Sequence, residues 1–161
     1  MRCPIAGARI EDLDNLSVEN YYGFRSFMSL KLADDVYMGK VLFEEGLLIE
    51  DCTNVFIEGL IEDDTYMGAI YPQEFGSQVP NLLITGTTSG VHLKNMDIAA
   101  GEEPRVLLEN TNAVTLEVVD FISPEPDECL IQVPPGAPDD IIVQIDPVDL
   151  LVRSGDCYVL A

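Results

Sequence analysis

The chain has 161 residues, enough for one domain with a substantial apolar core, and its hydrophobic content of 47% disfavours disorder. Its 29 acidic and 8 basic residues give a net charge of −21 at pH 7, which argues against binding to nucleic acid or to an anionic membrane surface. No apolar run approaches the roughly 20 residues of a membrane span, and the N-terminus lacks the long apolar centre of a signal peptide. We therefore predict a single domain over residues 1–161.

The first predicted element belongs to a pattern that recurs along the chain. Each copy has an apolar residue, two polar or small residues, a polar corner, and then two apolar residues that alternate with polar ones. The four copies begin at Ile10, Ile49, Ile84 and Leu108. The last two starting points are 24 residues apart, close to one turn of a coiled β-structure. Such internal periods indicate stacked repeats, each too small to bury its apolar side alone.

The copy that begins at Ile49 shows why strands are predicted. Val55 and Ile57 alternate with period two, whereas a helix needs a 3.6-residue period over about ten residues. Asn54 closes the corner, where Asn, Gly and Thr tolerate left-handed backbone or hydrogen-bond along the turn. Stacked copies would pair in parallel, roughly 4.8 Å apart. From about residue 8 to residue 123 the pattern resembles the right-handed parallel β-helix of pectate-lyase-like proteins and phage tailspikes.

This resemblance implies an all-β fold: a single-stranded right-handed parallel β-helix of about five to six coils. The starting residues of the four copies should form one interior column. Segments 21–33 and 69–80 are predicted as insertions, and residues 124–140 as an irregular segment, because proline removes a donor from the strand ladder. Short strands are predicted at 129–133, 141–145, 150–153 and 157–160.

Aromatic residues mark the predicted contact surfaces. Insertions into solenoid coils usually project from one face and often carry contacts, although segment 21–33 could instead add a strand that covers the side of the helix. The loop in the second insertion also carries Glu74, and an aromatic ring beside a carboxylate could hold a sugar. The last strand is apolar and either caps the final coil or docks on a neighbour. The candidate interface residues are Tyr22, Phe24, Phe27, Tyr71, Phe75 and Tyr158.

The sequence assigns no catalytic, cofactor-binding or metal residue. Its acidic pairs, Asp34/Asp35, Asp63/Asp64 and Asp139/Asp140, lie beside turn signals. The first two offer hard oxygens to calcium, but they lack EF-hand spacing. Among the scattered basic residues, only Lys94 and Arg105 are expected to lie close together on one side. His92, between Val91 and Leu93, should face outward from a strand as a surface histidine.

The four cysteines, Cys3, Cys52, Cys129 and Cys157, lack the CxxC or CxxH spacing of a zinc site. Without a signal peptide, free thiols are expected, with Cys52 pointing inward as a small hydrophobe. A disulfide between Cys129 and Cys157 is left open.

The predicted function is that of a non-enzymatic structural or interaction protein. The resemblance implies a phage virion protein, either a capsid-decorating or a spike-type one, that forms a homo-oligomer, preferably a trimer, with contacts to a capsid or other virion protein. Its predicted location is the virion surface, or otherwise the cytoplasm. One alternative is a protein that binds or cleaves a polysaccharide, and another is an intracellular protein-interaction module of the β-helix type.

Overall fold

A computed structural model of the chain describes residues 8–23, 27–43, 46–59, 65–67, 80–98, 103–136, 142–145 and 151–161. Every regular element in these ranges is a β-strand, which confirms the predicted all-β class. The strands are β1 (Ala8–Asp14), β2 (Ser17–Val18), β3 (Tyr21–Gly23), β4 (Phe27–Phe43), β5 (Gly46–Glu50), β6 (Thr53–Gly59), β7 (Thr65–Met67), β8 (Leu82–Thr85), β9 (Ser89–Ile98), β10 (Val106–Leu108), β11 (Asn112–Phe121), β12 (Ile131–Gln132), β13 (Ile142–Ile145), β14 (Leu151–Ser154) and β15 (Cys157–Leu160). Within the same ranges no helix is long and apolar enough to cross a membrane.

The strands stack into a parallel β-solenoid of about four turns, as the resemblance implied. The first face stacks β1, the start of β4, β5, β8, β10 and β12, and the second stacks the middle of β4 with β6, β9, β11 and β13. The four central turns are β4, β5–β6, β8–β9 and β10–β11. A layer of β1–β3 lies on one end and short strands lie on the other, so there are slightly fewer full turns than the five to six expected.

One interior column runs along the first face, as predicted. Ile10, Ile49, Ile84 and Leu108 all lie in it, but Leu30 stands between the first two. Leu30 belongs to segment 21–33, which we expected to be an insertion. Residues 27–33 of that segment instead form the start of β4 and pair with strands on both sides.

The second face contributes two further interior columns, because alternate residues of its strands point inward. These columns are Val36–Val55–Val91–Val114 and Met38–Ile57–Leu93–Leu116. All eight side chains are at most 2% exposed. Each fully buried aliphatic side chain contributes about 1.5–3 kcal/mol, so stacking of the turns is what stabilises the fold.

The corners between the first two faces use left-handed backbone in register from turn to turn. At this corner, two residues of each turn have φ between 50° and 73°. One corner column is Asp12, Leu32, Asp51, Gly86 and Asn110, and the other is Asn15, Asp35, Asn54, Gly90 and Ala113. Asn, Asp and Gly adopt this conformation at low cost, which confirms the role predicted for Asn and Gly at the corners.

At one corner the backbone approaches a side chain closely. Asp51 Oδ1 accepts hydrogen bonds from Thr87 N at 2.8 Å and Thr87 Oγ1 at 3.1 Å, which joins two turns. Gly86 lies directly against this carboxylate: a Cβ added there would stand 2.3 Å from Asp51 Oδ1. The position therefore needs glycine both for its φ of +73° and for the space.

Replacing Gly86 with alanine should lower the free energy of unfolding by about 2–4 kcal/mol, since left-handed strain and displacement of Asp51 act together. Gly136 is the matched control, because its φ is +68° but an added Cβ would meet no atom within 4 Å. Gly136→Ala should cost only the strain, about 1–2 kcal/mol. Urea denaturation of both variants measures the difference, and equal losses would contradict the role given to the Asp51 contact.

A disulfide between Cys129 and Cys157 ties the C-terminal end together. The prediction of free thiols is wrong for these two residues. The β14–β15 hairpin returns antiparallel to β12 and brings the two Cα atoms to 5.4 Å, although 28 residues separate them in sequence. Cys52 is free and fully buried, as predicted, and this burial raises the pKa of its thiol. Cys3 lies outside the described residues.

A buried ion pair lies at the same end of the solenoid. Arg105 is 1% exposed and Glu128 is 5% exposed, and the guanidinium donates to both carboxylate oxygens, with Nε–Oε1 2.6 Å and Nη2–Oε2 2.8 Å. The remaining guanidinium hydrogens point at backbone carbonyls, among them Ile122 O at 2.7 Å from Nη1. Glu128 also accepts from Glu125 N at 2.9 Å. Both charges are therefore fully hydrogen-bonded, which is the condition under which a buried pair is tolerated.

Candidate functional site on the outer face of the second sheet

Three aromatic side chains lie in register on the outside of the second face, and we call them the aromatic strip. They are Tyr37, Phe56 and His92, each between two inward-pointing residues of its strand. The rings of Tyr37 and Phe56 are stacked, with centroids 5.6 Å apart and planes 6° apart. Phe56 meets His92 edge-on at 5.0 Å. The strip therefore links three successive turns by ring contacts.

A carboxylate continues the strip on the next turn. His92 Nε2 donates to Glu117 Oε2 at 2.8 Å, and Lys94 Nζ donates to Glu117 Oε1 at 3.2 Å. These hydrogen bonds, first the one from His92 and then the one from Lys94, lower the pKa of Glu117 below its ordinary value. Glu117 is therefore ionised at neutral pH and joins two basic side chains of the preceding turn.

His92 faces outward from its strand, as predicted, and its side chain is 35% exposed. The sequence suggested no partner for it. The structure supplies Glu117, which lies 25 residues further on. Phe56 packs against the ring and Glu117 holds Nε2, so the known contacts of His92 hold neighbouring turns together.

The two stacked rings of the strip differ in exposure. Tyr37 and Phe56 each turn one ring face toward the other, because their planes are nearly parallel. Tyr37 is the more open of the two, at 43% exposure. The loop that we had considered for a sugar, with Tyr71, Glu74 and Phe75, lies outside the described residues.

The two basic residues expected to lie together have separate partners. Lys94 pairs with Glu117 on the outer face, while Arg105 is buried against Glu128. The expectation was wrong because Arg105 precedes β10 and turns into the interior. At 1% exposure, Arg105 cannot reach a substrate in this conformation.

The acidic pair Asp34/Asp35 lies at a corner between the first two faces. Asp34 Oδ1 accepts from Thr53 Oγ1, and Asp35 Oδ1 accepts from Asn54 Nδ2 at 3.0 Å. Both hydrogen bonds cross to the next turn, so these carboxylates connect neighbouring turns of the solenoid. In the part of the chain that the structure describes, no group of three or more His, Cys, Asp or Glu side chains is placed to hold a metal ion. Asp63/Asp64 and Asp139/Asp140 lie outside that part.

The candidate interface residues are found in different places. Tyr22 lies in β3 and is 52% exposed. Tyr158 lies in β15, opposite Ile131, and packs half-buried against the core. Phe27 is the first residue of β4, and the structure describes its backbone but not its side chain. Phe24, Tyr71 and Phe75 fall outside the described residues.

Comparison with known protein families, curated proteins and solved structures found no match to this chain. Function is therefore inferred from the residues and their geometry.

Proposed function

We propose that the chain is a non-enzymatic structural or interaction protein that acts through the surface of a stiff β-solenoid. The observation that carries this proposal is the use of its outer polar side chains. Glu117 holds His92 and Lys94, and Thr85 Oγ1 donates to Glu109 Oε2 at 3.0 Å. Each of these bonds crosses from one turn to the next. Polar groups that a catalytic surface would aim at a substrate are here used for cohesion between turns.

We further propose that this rod is a virion surface protein that assembles as a homotrimer. Large apolar side chains stand exposed on its outside, among them Tyr22 and Tyr37, and such residues are typical of contact surfaces. Disulfides persist on virion surfaces, so the Cys129–Cys157 bond fits this location. The charge of −21 suits solubility and contact with a basic neighbour.

Light scattering after size-exclusion chromatography at micromolar concentration tests the assembly. We expect three times the 17.7 kDa mass of the chain. Tyr22→Glu should shift the mass toward the monomer, whereas Val152→Glu, at a similarly exposed site in the terminal hairpin, should not. A monomer of the unchanged protein would contradict the trimer. Release of reducing sugar from a polysaccharide would contradict the non-enzymatic role.

A further inference from the structure

The terminal strands at the two ends of the first face differ in their pairing. At the C-terminal end, β15 pairs antiparallel with β12, β14 pairs with β15, and the disulfide holds this hairpin in place. At the N-terminal end, β1 and β2 make their ladder bonds to β4, and within the described ranges no strand pairs with their other edges. We call the layer β1–β3 the open end. A strand edge of this kind is a template for another extended chain.

The apolar side of the open end is incompletely covered. Ile10, Leu16 and Val18 face the core but are only half-buried, whereas Leu30 and Met38 in the next turn are fully buried. Exposed apolar side chains also concentrate here. Among the large apolar side chains that are most exposed in the described structure, four lie in the first two layers: Leu13, Tyr22, Leu32 and Tyr37.

The rim of the open end is acidic. Its exposed charged side chains are one cation, Arg9, and four carboxylates, Glu11, Asp12, Asp14 and Glu19, so the rim carries a net negative charge. A second copy meeting this end face to face would bring two such rims together, and like charges in contact disfavour that pairing. A second copy that continued the solenoid would have to present its C-terminal edge, where the hairpin covers β12. The charge therefore selects a basic partner.

We propose that the open end binds an extended, basic segment of a partner protein, which adds a strand beside β1 and β2. This inference rests on the proposed interaction role and names its surface and partner class. Backbone hydrogen bonds to the strand edge would supply affinity, as in β-augmentation. Alternate apolar residues of the segment would cover Ile10, Leu16 and Val18, while its Lys or Arg residues would meet the acidic rim.

Synthetic decapeptides test the proposal by fluorescence anisotropy with the full chain. The probe alternates Lys and Val, and two control peptides alternate Glu and Val or carry N-methyl groups on alternate Lys–Val residues. A rim variant removes four charges at the open end, and a control variant removes four exposed charges elsewhere. The rim substitutions are Glu11→Gln, Asp12→Asn, Asp14→Asn and Glu19→Gln. The control substitutions are Glu103→Gln, Asp120→Asn, Asp127→Asn and Asp156→Asn.

We expect the Lys–Val peptide to bind the unchanged protein and the control variant with similar affinity, and the rim variant at least tenfold more weakly. Both control peptides should bind at least tenfold more weakly than the Lys–Val peptide. One lacks the positive charge, and the other lacks the backbone N–H groups that donate to a strand edge. Equal weakening in both protein variants would indicate bulk charge and overturn the proposal. Binding seen only after deletion of residues 1–7 would identify the chain's own N-terminus as the occupant, which also overturns it. Neither result bears on the trimer mass, so the proposed function is tested separately.

Discussion

Replacing Arg105 with methionine should lower the free energy of unfolding at pH 7 by about 3–5 kcal/mol, because it leaves the buried carboxylate of Glu128 without its counter-charge. The variant also loses the hydrogen bond that Arg105 Nη1 donates to Ile122 O, and this loss adds to the destabilisation. Urea denaturation of the variant and the unchanged protein measures the difference.

Two further variants decide whether the charge or the packing is responsible. Arg105→Met combined with Glu128→Leu removes both charges and should recover much of the loss, as in other buried pairs replaced by apolar residues. Arg153→Met changes an exposed arginine that donates to Gly155 O at 3.1 Å, and it should stay within about 0.5 kcal/mol of the unchanged protein. If Arg153→Met were as damaging as Arg105→Met, burial of the pair would not explain the effect.

The same pair predicts a dependence on pH. Burial works against the charged form of Glu128, but the hydrogen bonds from Arg105 and Glu125 N and the charge of Arg105 outweigh it, so the pKa of Glu128 is lowered. A lowered pKa gives stability that is present above the ordinary glutamate value and is lost as pH falls through the folded-state value. Arg105→Met removes that contribution, so the difference between variant and unchanged protein should shrink from pH 7 to pH 3.

The interior columns could be predicted because they follow directly from the pattern of side chains. Val55 and Ile57 alternate, and a period-two pattern beside an Asn corner leaves one choice of inward face. Ile49 and Ile84 then had to stack, whatever the length of chain between them. Burial on one face fixes the register of each strand, so the repeated pattern was sufficient.

The turn formed by β4 was missed because its corner lacks the polar signature. Leu30, Lys31 and Leu32 occupy the positions of Ile49, Glu50 and Asp51 in the next turn. Leu32 adopts a φ of 51°, although leucine rarely does so. A sequence search for Asn, Asp or Gly at this position therefore does not detect the turn formed by β4.

Two similar strings of the sequence belong to strands that pair at different positions along the turn. The segments Asp34–Gly39 and Asp63–Gly68 look alike in sequence. Val36–Met38 pairs with Val55–Ile57 on the second face, whereas β7 pairs with Met96–Ile98 beyond it. Similar strings can occupy different faces, because a corner is set by the stacking of whole turns.

The repeated pattern determines the strand registers at the candidate site, but it does not determine which side chains bond across them. Placing Val114 and Leu116 opposite Val91 and Leu93 also puts Glu117 opposite Lys94. The contact between His92 and Glu117 crosses diagonally between neighbouring positions of the ladder, so alternation alone could not specify it. Arg105 was unpredictable for another reason: its partner Glu128 lies in an irregular segment without a period.

Removing the disulfide by changing Cys129 and Cys157 to alanine should lower the free energy of unfolding by about 3–4 kcal/mol, the chain-entropy value for a loop of 28 residues. The local loss of stability should be greatest where the β14–β15 hairpin contacts the solenoid. Leu130 N donates to Tyr158 O at 2.9 Å and Val133 N donates to Asp156 O at 2.8 Å, so both amides depend on the hairpin.

Hydrogen exchange separates this local effect from a general one. In the double variant, the amides of Leu130 and Val133 should lose more protection than that of Leu82, which donates to Arg105 O in the central turns. Reduction of the unchanged protein should reproduce the pattern, since it breaks the same bond without changing a residue. Equal loss of protection at all three amides would mean that the hairpin and the central turns open as one unit. The β14–β15 hairpin would then be held in place by its contacts with the solenoid, and the disulfide would not explain the difference between the two ends.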